Sequence, residues 1–301
     1  MKTFTLCAAV LGLAAVPGFA VTVPVLDAAV DFAVLGGSTV TNTGTTTLVG
    51  SPSVNANLGV SPGTAITGLV TFTNGAAHAA DALAQEAQAS VTRAYTALAL
   101  LSPTGGNLTG QDLGTLSGAL ALAPGVYSFA TSAALTGTLE LDAQHKDGAY
   151  WVFQFGSTLT TDTNSKVRVI NANDAGNNGS DIGVFWVVRT SATLGTGTTF
   201  EGNILAGDSI TLNTSAAIMN GRALARTGAV TLDSNSITDY CPLNKNGPGF
   251  SGGLVFTSTT ATDYNLSPIT IPEPSIFGVL ALGLATFWGY GRRRTFAAGG
   301  F

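Results

Sequence analysis

Hydrophobic positions in the second half of the chain fall into short runs of three kinds. The first kind is apolar on both sides: VYSF (126–129), YWVFQF (150–155), VFWVV (184–188), ILA (204–206) and ALA (223–225). Runs of that type suit strands covered on both faces. The second kind carries a Thr-Leu pair, at Thr158-Leu159, Thr193-Leu194, Thr211-Leu212 and Thr231-Leu232, with Ala134-Leu135-Thr136 as a weaker first member. The third kind mixes charged and apolar residues: TLELD (138–142), KVRVI (166–170), TFEGN (199–203) and IMNG (218–221). Neighbours along a strand point to opposite faces. Leu139, Val167, Phe200 and Met219 are therefore expected inward. Glu140, Lys166, Arg168 and Glu201 are expected outward, with alternating sign on adjacent rungs, a mildly stabilising arrangement for a solvated face.

The Thr-Leu pairs lie 35, 18 and 20 residues apart, and the insertion NANDAGNNGSDIG (171–183) accounts for the long interval. A short recurring period rich in β-branched residues marks a solenoid whose coils stack strand on strand. With each Leu inward, each Thr stands outward, and successive rungs set the Thr side chains about 4.8 Å apart. The coil then has one covered side, one charged side and one flat side rich in Thr. Residues 27–75 read as further short strands separated by turns, with DFAVLGGSTVTNTG and NLGVSPGTAITG as the clearest.

Between Gly75 and Leu101 the pattern changes. HAADALAQEAQASVTRAYTALALL has no Gly or Pro, and Ala80, Leu83, Ala87, Val91, Ala94, Leu98 and Leu101 step by three or four. This predicts one amphipathic helix over about residues 76–101, ended by Ser102-Pro103 and Gly105-Gly106. Its apolar stripe must bury against something, and the doubly apolar strands offer a surface for it. After Asp239 the period is lost, and residues 241–270 read as a linker.

Both ends carry targeting patterns. Lys2, an apolar run from Phe4 to Val16, and small residues at Gly18 and Ala20 predict a signal peptide over residues 1–20. At the other end, Pro272-Glu273-Pro274-Ser275 precedes an apolar stretch from Ile276 to Tyr290 and then Arg292-Arg293-Arg294. Residues 271–301 closely resemble the PEP-CTERM sorting signal of bacteria that carry exosortase. The resemblance implies a short transmembrane helix that holds the chain at the inner membrane until exosortase removes it. The basic end fits the positive-inside rule. The mature chain is then exported to the cell surface or secreted.

Composition narrows the class. Only 10% of the 301 residues are charged, while Thr numbers 42 and Gly 38, which suits a β-rich extracellular protein better than a cytosolic helical enzyme. Residues 21–270 hold eight Lys and Arg against sixteen Asp and Glu, a net −8 that argues against nucleic acid and anionic membrane surfaces as partners. Cys7 leaves with the signal peptide, so Cys241 has no intramolecular disulfide partner and no cysteine metal site forms. The two histidines, His78 in the predicted helix and His145 in a loop, lie outside any metal-binding spacing, and there is no G-x-S-x-G or phosphate loop. The acids are spread rather than clustered in one cleft. No enzyme, cofactor or metal is expected.

Longer matches give a family resemblance. NLGVSPGTAITG (57–68), HAADALAQEAQA (78–89), LAPGVYSF (122–129), LTGTLELDAQ (135–144), VFQFGSTLTT (152–161) and the run from Ser191 to Thr238 closely resemble the ice-binding-protein-like family of microbial β-solenoids. The resemblance covers roughly residues 27–240, within a domain taken as 21–240. It implies an all-β-dominated fold, an irregular right-handed β-solenoid of triangular section with one long α-helix packed along it. It also implies adsorption to ice through a flat face away from the helix. The outward positions on the Thr side are then the candidate ice-binding residues: Thr158, Thr160, Thr193, Thr211, Asn213 and Thr231, extended by Thr136 at one end and by Thr39 and Thr41 from the N-terminal part. The second column along this face is not uniform, because Gly195, Asn213 and Asp233 interrupt it. The rival expectation is a surface or matrix adhesin associated with exopolysaccharide. Sugar sites favour exposed aromatic platforms, and Trp151 and Trp186 belong instead to the covered strands.

Overall fold

A computed structural model describes residues 22–117, 121–172, 181–240, 248–258, 260 and 262–269. The predicted signal peptide, Cys7, Cys241, the Pro272-Glu273-Pro274 motif and the apolar stretch after it lie outside the described residues, as does most of the 171–183 insertion.

The doubly apolar runs form one nine-stranded sheet, the Thr-bearing runs a seven-stranded sheet, and the mixed runs a second seven-stranded sheet. All three are parallel throughout. Each coil visits the covered sheet, then the threonine sheet, then the mixed sheet, as in Asn203–Ala206, Ile210–Leu212 and Ala217–Met219. The interior is one apolar cluster to which every sheet contributes, including Leu135, Leu194, Leu212 and Leu232 from the threonine sheet and Leu139, Val167, Phe200 and Ile237 from the mixed sheet. Aromatic rings from successive rungs stack inside it. Phe153 and Trp186 lie 4.3 Å apart and Phe129 and Phe155 4.9 Å, while Phe200 of the mixed sheet lies tilted against Trp186 at 4.7 Å. Trp151 and Trp186 are fully buried in the covered sheet, and their indole N–H groups donate to the carbonyls of Leu122 and Glu201.

Stacking order departs from chain order. Ala223–Ala225, the last rung of the C-terminal run, pairs with Phe32–Gly36 from the N-terminal part, which pairs with Asn57–Val60 and then Ala77–Ala79. The next covered rungs in sequence, Gly106–Asn107 and Gly125–Phe129, sit at the opposite end. The chain must therefore travel the whole stack between residues 79 and 106. Helix α1 (Ala82–Ala99) covers most of that journey in 18 residues, about 27 Å at 1.5 Å per residue, and the segments on either side of it cover the rest. The stripe Ala87, Val91, Ala94 and Leu98 buries against Val152, Phe185, Val187, Leu205 and Leu224, on the outer side of the covered sheet. Two details differ from the expected helix. It starts later, because Asp81 caps it by accepting from the Ala84 N–H, and residues 77–79 are a strand, so His78 is not helical. Leu83 is 54% exposed and does not join the stripe.

Within the stretch expected as a linker, Leu254–Phe256 and Leu266–Pro268 form an antiparallel sheet with Val23–Pro24. Leu254 and Phe256 are buried against the helix side, and the Arg93 guanidinium lies 3.7 Å from the Phe256 ring while donating to the Ser258 and Asp263 carbonyls. Arg222, fully buried, donates to the carbonyls of Val30, Pro248 and Asp239 and to Asn203 and Ser251, tying this segment to the coil. These contacts use scattered single residues, which leave no period to read.

Candidate functional site

The threonine sheet brings residues from across the chain into one column. Its register pairs Thr160 with Thr193, Thr193 with Thr211, Thr211 with Thr231, Thr231 with Thr41, and Thr41 with Thr67. Six threonines thus stand on six successive rungs, with Ala134 on the rung before them. Four of the six are flanked along their strands by buried side chains: Leu159 and Thr161 beside Thr160, Ala192 and Leu194 beside Thr193, Ile210 and Leu212 beside Thr211, Val230 and Leu232 beside Thr231. Thr41 has buried Val40 on one side, and Thr67, at the end of the sheet, has half-buried Ile66. A strand with both neighbours inward leaves its central side chain outward. The column is uncharged from end to end. The Thr41 hydroxyl donates to the Thr231 hydroxyl at 3.4 Å, so at least one pair of rungs is linked through its side chains.

The expected residues divide into two groups. Thr160, Thr193, Thr211, Thr231 and Thr41 are brought together in the column. Thr158 is not opposite Thr193. Leu159 pairs with Ala192, and the Leu159 N–H donates to the Ser191 carbonyl, so the first Thr-Leu pair sits two residues out of step with the other three. Thr158 instead lies one position before the strand, its hydroxyl donating to that of Ser132 at 3.0 Å. Thr39 shares the outward side of its strand with Thr41 and pairs with Ala65. Thr136 is exposed just beyond Ala133–Leu135, where its N–H donates to Asp112. Asn213 is exposed just after Ile210–Leu212, and its carbonyl accepts from Asn235. Thr67 completes the column and was missed. The pattern AITG lacks the Thr-Leu pair, and only its place beside Thr41 reveals it.

The corner between the threonine and mixed sheets holds the column in place. Asn235, buried, donates to the carbonyls of Asn213 and Ala216 at 2.9 Å each and accepts from the Asp233 N–H at 2.6 Å. Thr161 and Thr198, both buried, share a hydrogen bond of 2.7 Å, and Thr161 accepts from the Gly195 N–H. Thr46 donates to Asn42 and accepts from the Asn235 N–H. These side chains satisfy corner backbone groups that would otherwise be buried without partners. Asp233, the charged interruption, is engaged at this corner by the hydroxyls of Thr214 and Ser234.

The mixed sheet has a column of its own. Thr138 pairs with Lys166, Lys166 with Thr199, Thr199 with Ala217, Ala217 with Ser236, Ser236 with Thr47, and Thr47 with Thr71. Beside its charged end, Arg168 pairs with Glu140 as expected, through Nε at 2.9 Å. Glu201 accepts from the Val169 N–H at 2.6 Å, and burial pushes its carboxyl up to about 7. Met219 is not the inward residue of its strand. Ile218 is, paired with Phe200 and Ile237, while Met219 lies opposite Glu201.

Nothing among the described residues groups three or more His, Cys, Asp or Glu for a metal ion. His78 bonds Asp81 at 2.7 Å and packs edge-on against Phe32, 5.6 Å between ring centres, a structural placement at the start of the helix.

Comparison with known proteins bears on what such a column is for. The family described as ice-binding-like matches residues 34–238. The chain is 49% identical over 224 residues to an ice-binding protein of Nostoc sp. (strain HG1), covering 74% of this chain and 76% of that protein. Among solved structures, an ice-binding protein from an Antarctic biological consortium is 35% identical with a TM-score of 0.61, covering 79% of this chain and 96% of the other. One from the Antarctic ascomycete Antarctomyces psychrotrophicus is 33% identical with a TM-score of 0.59, covering 72% and 98%.

Proposed function

The chain belongs to the ice-binding-like family, and on that premise we propose that it adsorbs to ice through the threonine sheet. The observation that carries the proposal is the uncharged column of six threonines on successive rungs. A β-branched side chain loses little rotamer freedom on binding, because its χ1 is already restricted. The Thr methyl orders water and the hydroxyl enters the ordered layer. Rungs repeat at about 4.8 Å and alternate positions along a strand at about 6.6–7 Å, both close to repeats of the ice lattice. Thr39, Thr136, Thr158 and Asn213 would widen the contact on either side of the column. The coil would be right-handed and triangular in section, which gives the sheet a flat outer surface.

The same proposal includes export by the N-terminal signal. It also includes transient anchoring through residues 271–301 with exosortase cleavage near Pro272-Glu273-Pro274, and a final place at the cell surface or in the medium. Residues 21–240 would be the ice-binding domain.

Thermal hysteresis and ice recrystallisation inhibition, measured on the wild type and on a Thr193→Tyr, Thr211→Tyr variant, test it. Activity in the wild type that disappears in the folded variant supports the threonine sheet. Activity in both moves the site to another face, the mixed sheet first. No activity in a folded wild type sinks the ice reading.

A further inference from the structure

Near the C-terminal end of helix α1, the outer side of the covered sheet changes character. Along one row in register, Leu224, Leu205 and Val187 give way to Gln154, Ser128 and Asn107. The apolar half lies under the helix. The polar half lines a cavity of about 360 Å³, together with Tyr95 and Ala99 of the helix and with Arg189. That volume lies within the roughly 300–1,000 Å³ of small-ligand clefts. Its three polar side chains stand on adjacent rungs, about 4.8 Å apart.

The cations explain what such a cleft would select. Of the five described arginines, Arg168 pairs with Glu140, Arg93 holds tail carbonyls, and Arg222 is enclosed in its buried network. Arg189 and Arg226 have no carboxylate partner among the described residues, and both act on Tyr95. The Arg226 guanidinium lies 4.4 Å from the Tyr95 ring centre, and the charges of both arginines oppose the upward push of burial on the tyrosine hydroxyl. Arg226 therefore positions Tyr95, while Arg189 is exposed at the cleft. Gln154 is fixed as well, since its Nε2 donates to the Leu98 and Leu101 carbonyls at the helix end, which orients Oε1 as its acceptor.

We propose that this cleft binds a uronic-acid unit of an acidic polysaccharide. Arg189 would take the carboxylate through its planar fork. Asn107, Ser128 and the Gln154 Oε1 would meet successive ring hydroxyls, and Tyr95 and Ala99 would cover the C–H side of the ring. A phosphate ligand fits less well. The helix end near the cleft is the negative end of its dipole, which opposes any anion, and a dianion more strongly than the single charge of a uronate. The site lies on the covered sheet, a different face from the threonine column, so it does not depend on the ice proposal.

The test is calorimetric titration of the full chain with digalacturonate, with cellobiose as the neutral disaccharide and sodium acetate as the lone carboxylate. Digalacturonate is expected to bind at least about tenfold more tightly than either control, and Arg189→Ala to weaken it by about tenfold or more. Ser128→Tyr, which fills the cleft, is expected to abolish binding, and both variants to keep the wild-type melting temperature and ice activity. Should Arg189→Ala fold poorly, Asn107→Ala with Ser128→Tyr decides the matter in its place. Absence of digalacturonate binding to the wild type, acetate binding as tightly as the disaccharide, or unchanged binding in the folded variants would each overturn the proposal.

Discussion

The threonine sheet and the mixed sheet are built by the same coils, have the same number of strands and close the same core. Their inward residues are interchangeable in kind: Leu212 and Leu232 on one, Ile218 and Ile237 on the other. Their outward columns are not. One reads Thr on six successive rungs, while the other reads Thr, Lys, Thr, Ala, Ser, Thr, Thr. The mixed sheet thus acts as an internal control. It shows that this coil stacks well with varied outward side chains, so stacking alone does not require an unbroken threonine column. Good β-propensity of Thr is available to both faces and explains neither the regularity of one nor the irregularity of the other.

The largest effects should fall equally on the two sheets, because they come from the shared interior. Leu212→Ala and Ile218→Ala each remove a fully buried side chain and are expected to cost about 2–5 kcal/mol. Paired thermal or denaturant unfolding would show it. A much smaller loss at Ile218 would mean that the mixed side is loosely packed, and that the contrast between the columns has an interior cause.

The next effect is confined to the mixed sheet. Glu201 is raised to about 7 by burial, against an ordinary glutamate value near 4.5 in the unfolded chain. A raised acid binds its proton more tightly in the folded state, so its contribution is complete below pH ~4.5 and is lost as pH rises through about 7. Unfolding measured from pH 5 to 8 should show a decline, of the order of 1–3 kcal/mol from this group. Asp239, also buried and raised to about 7, adds a decline over the same range. Glu201→Gln should therefore remove only its own share of the slope, leaving that of Asp239, while ice adsorption stays unchanged. A slope as steep in Glu201→Gln as in the wild type assigns the whole dependence to other groups, Asp239 first.

How far these faces can be read from the sequence follows from the geometry of strands. Which residues point in and which point out is a matter of parity, and alternation reveals it wherever apolar and polar residues take turns. Leu194, Leu212 and Leu232 were legible on that basis. Register in steps of two is not, since residues two apart point the same way. Thr158 and Thr160 are equivalent by pattern, and only the pairing of Leu159 with Ala192 separates them. Parity itself fails where both candidates are apolar, as at Ile218 and Met219. Composition misleads in another way. Thr161, Thr198 and Thr46 are buried corner residues that hold backbone groups, so the abundance of Thr overstates the exposed face. The polar end of the covered sheet was masked because Ser128 and Gln154 sit within runs that are otherwise apolar. The helix was legible in type from its stripe. Its start was not, since the residues before Asp81 read as equally helical although they complete a sheet.

A smaller difference should appear at the surface. Tyr at Thr199 and Ala217, adjacent rungs of the mixed sheet, places the same bulk as the Thr193→Tyr, Thr211→Tyr pair on the other face. If the threonine sheet is the ice face, the second pair should lower adsorption by about tenfold or more, equivalent to ~1.4 kcal/mol, and the first should leave it within about twofold, since neither side chain would reach the adsorbed layer. Equal losses would mean that ice contacts both faces at once.

The smallest change in stability carries the sharpest comparison. Lys166→Thr, Ala217→Thr and Ser236→Thr would turn the mixed column into threonine from residue 138 to residue 71, following the register already present. Outward substitutions of this kind usually shift stability by no more than about 0.5 kcal/mol each. The exposed Arg168–Glu140 pair beside the column would remain, worth at most about 1 kcal/mol. If regular threonine spacing is sufficient for adsorption, this variant gains a second active face, visible as increased thermal hysteresis and as residual activity when Thr193 and Thr211 carry Tyr. If it gains nothing, spacing alone is not enough. The difference between the faces would then reside in what surrounds the column: on one side a border whose carboxylate, Asp233, is already engaged by Thr214 and Ser234, and on the other an exposed carboxylate and guanidinium whose hydration competes with the ordered water that ice requires.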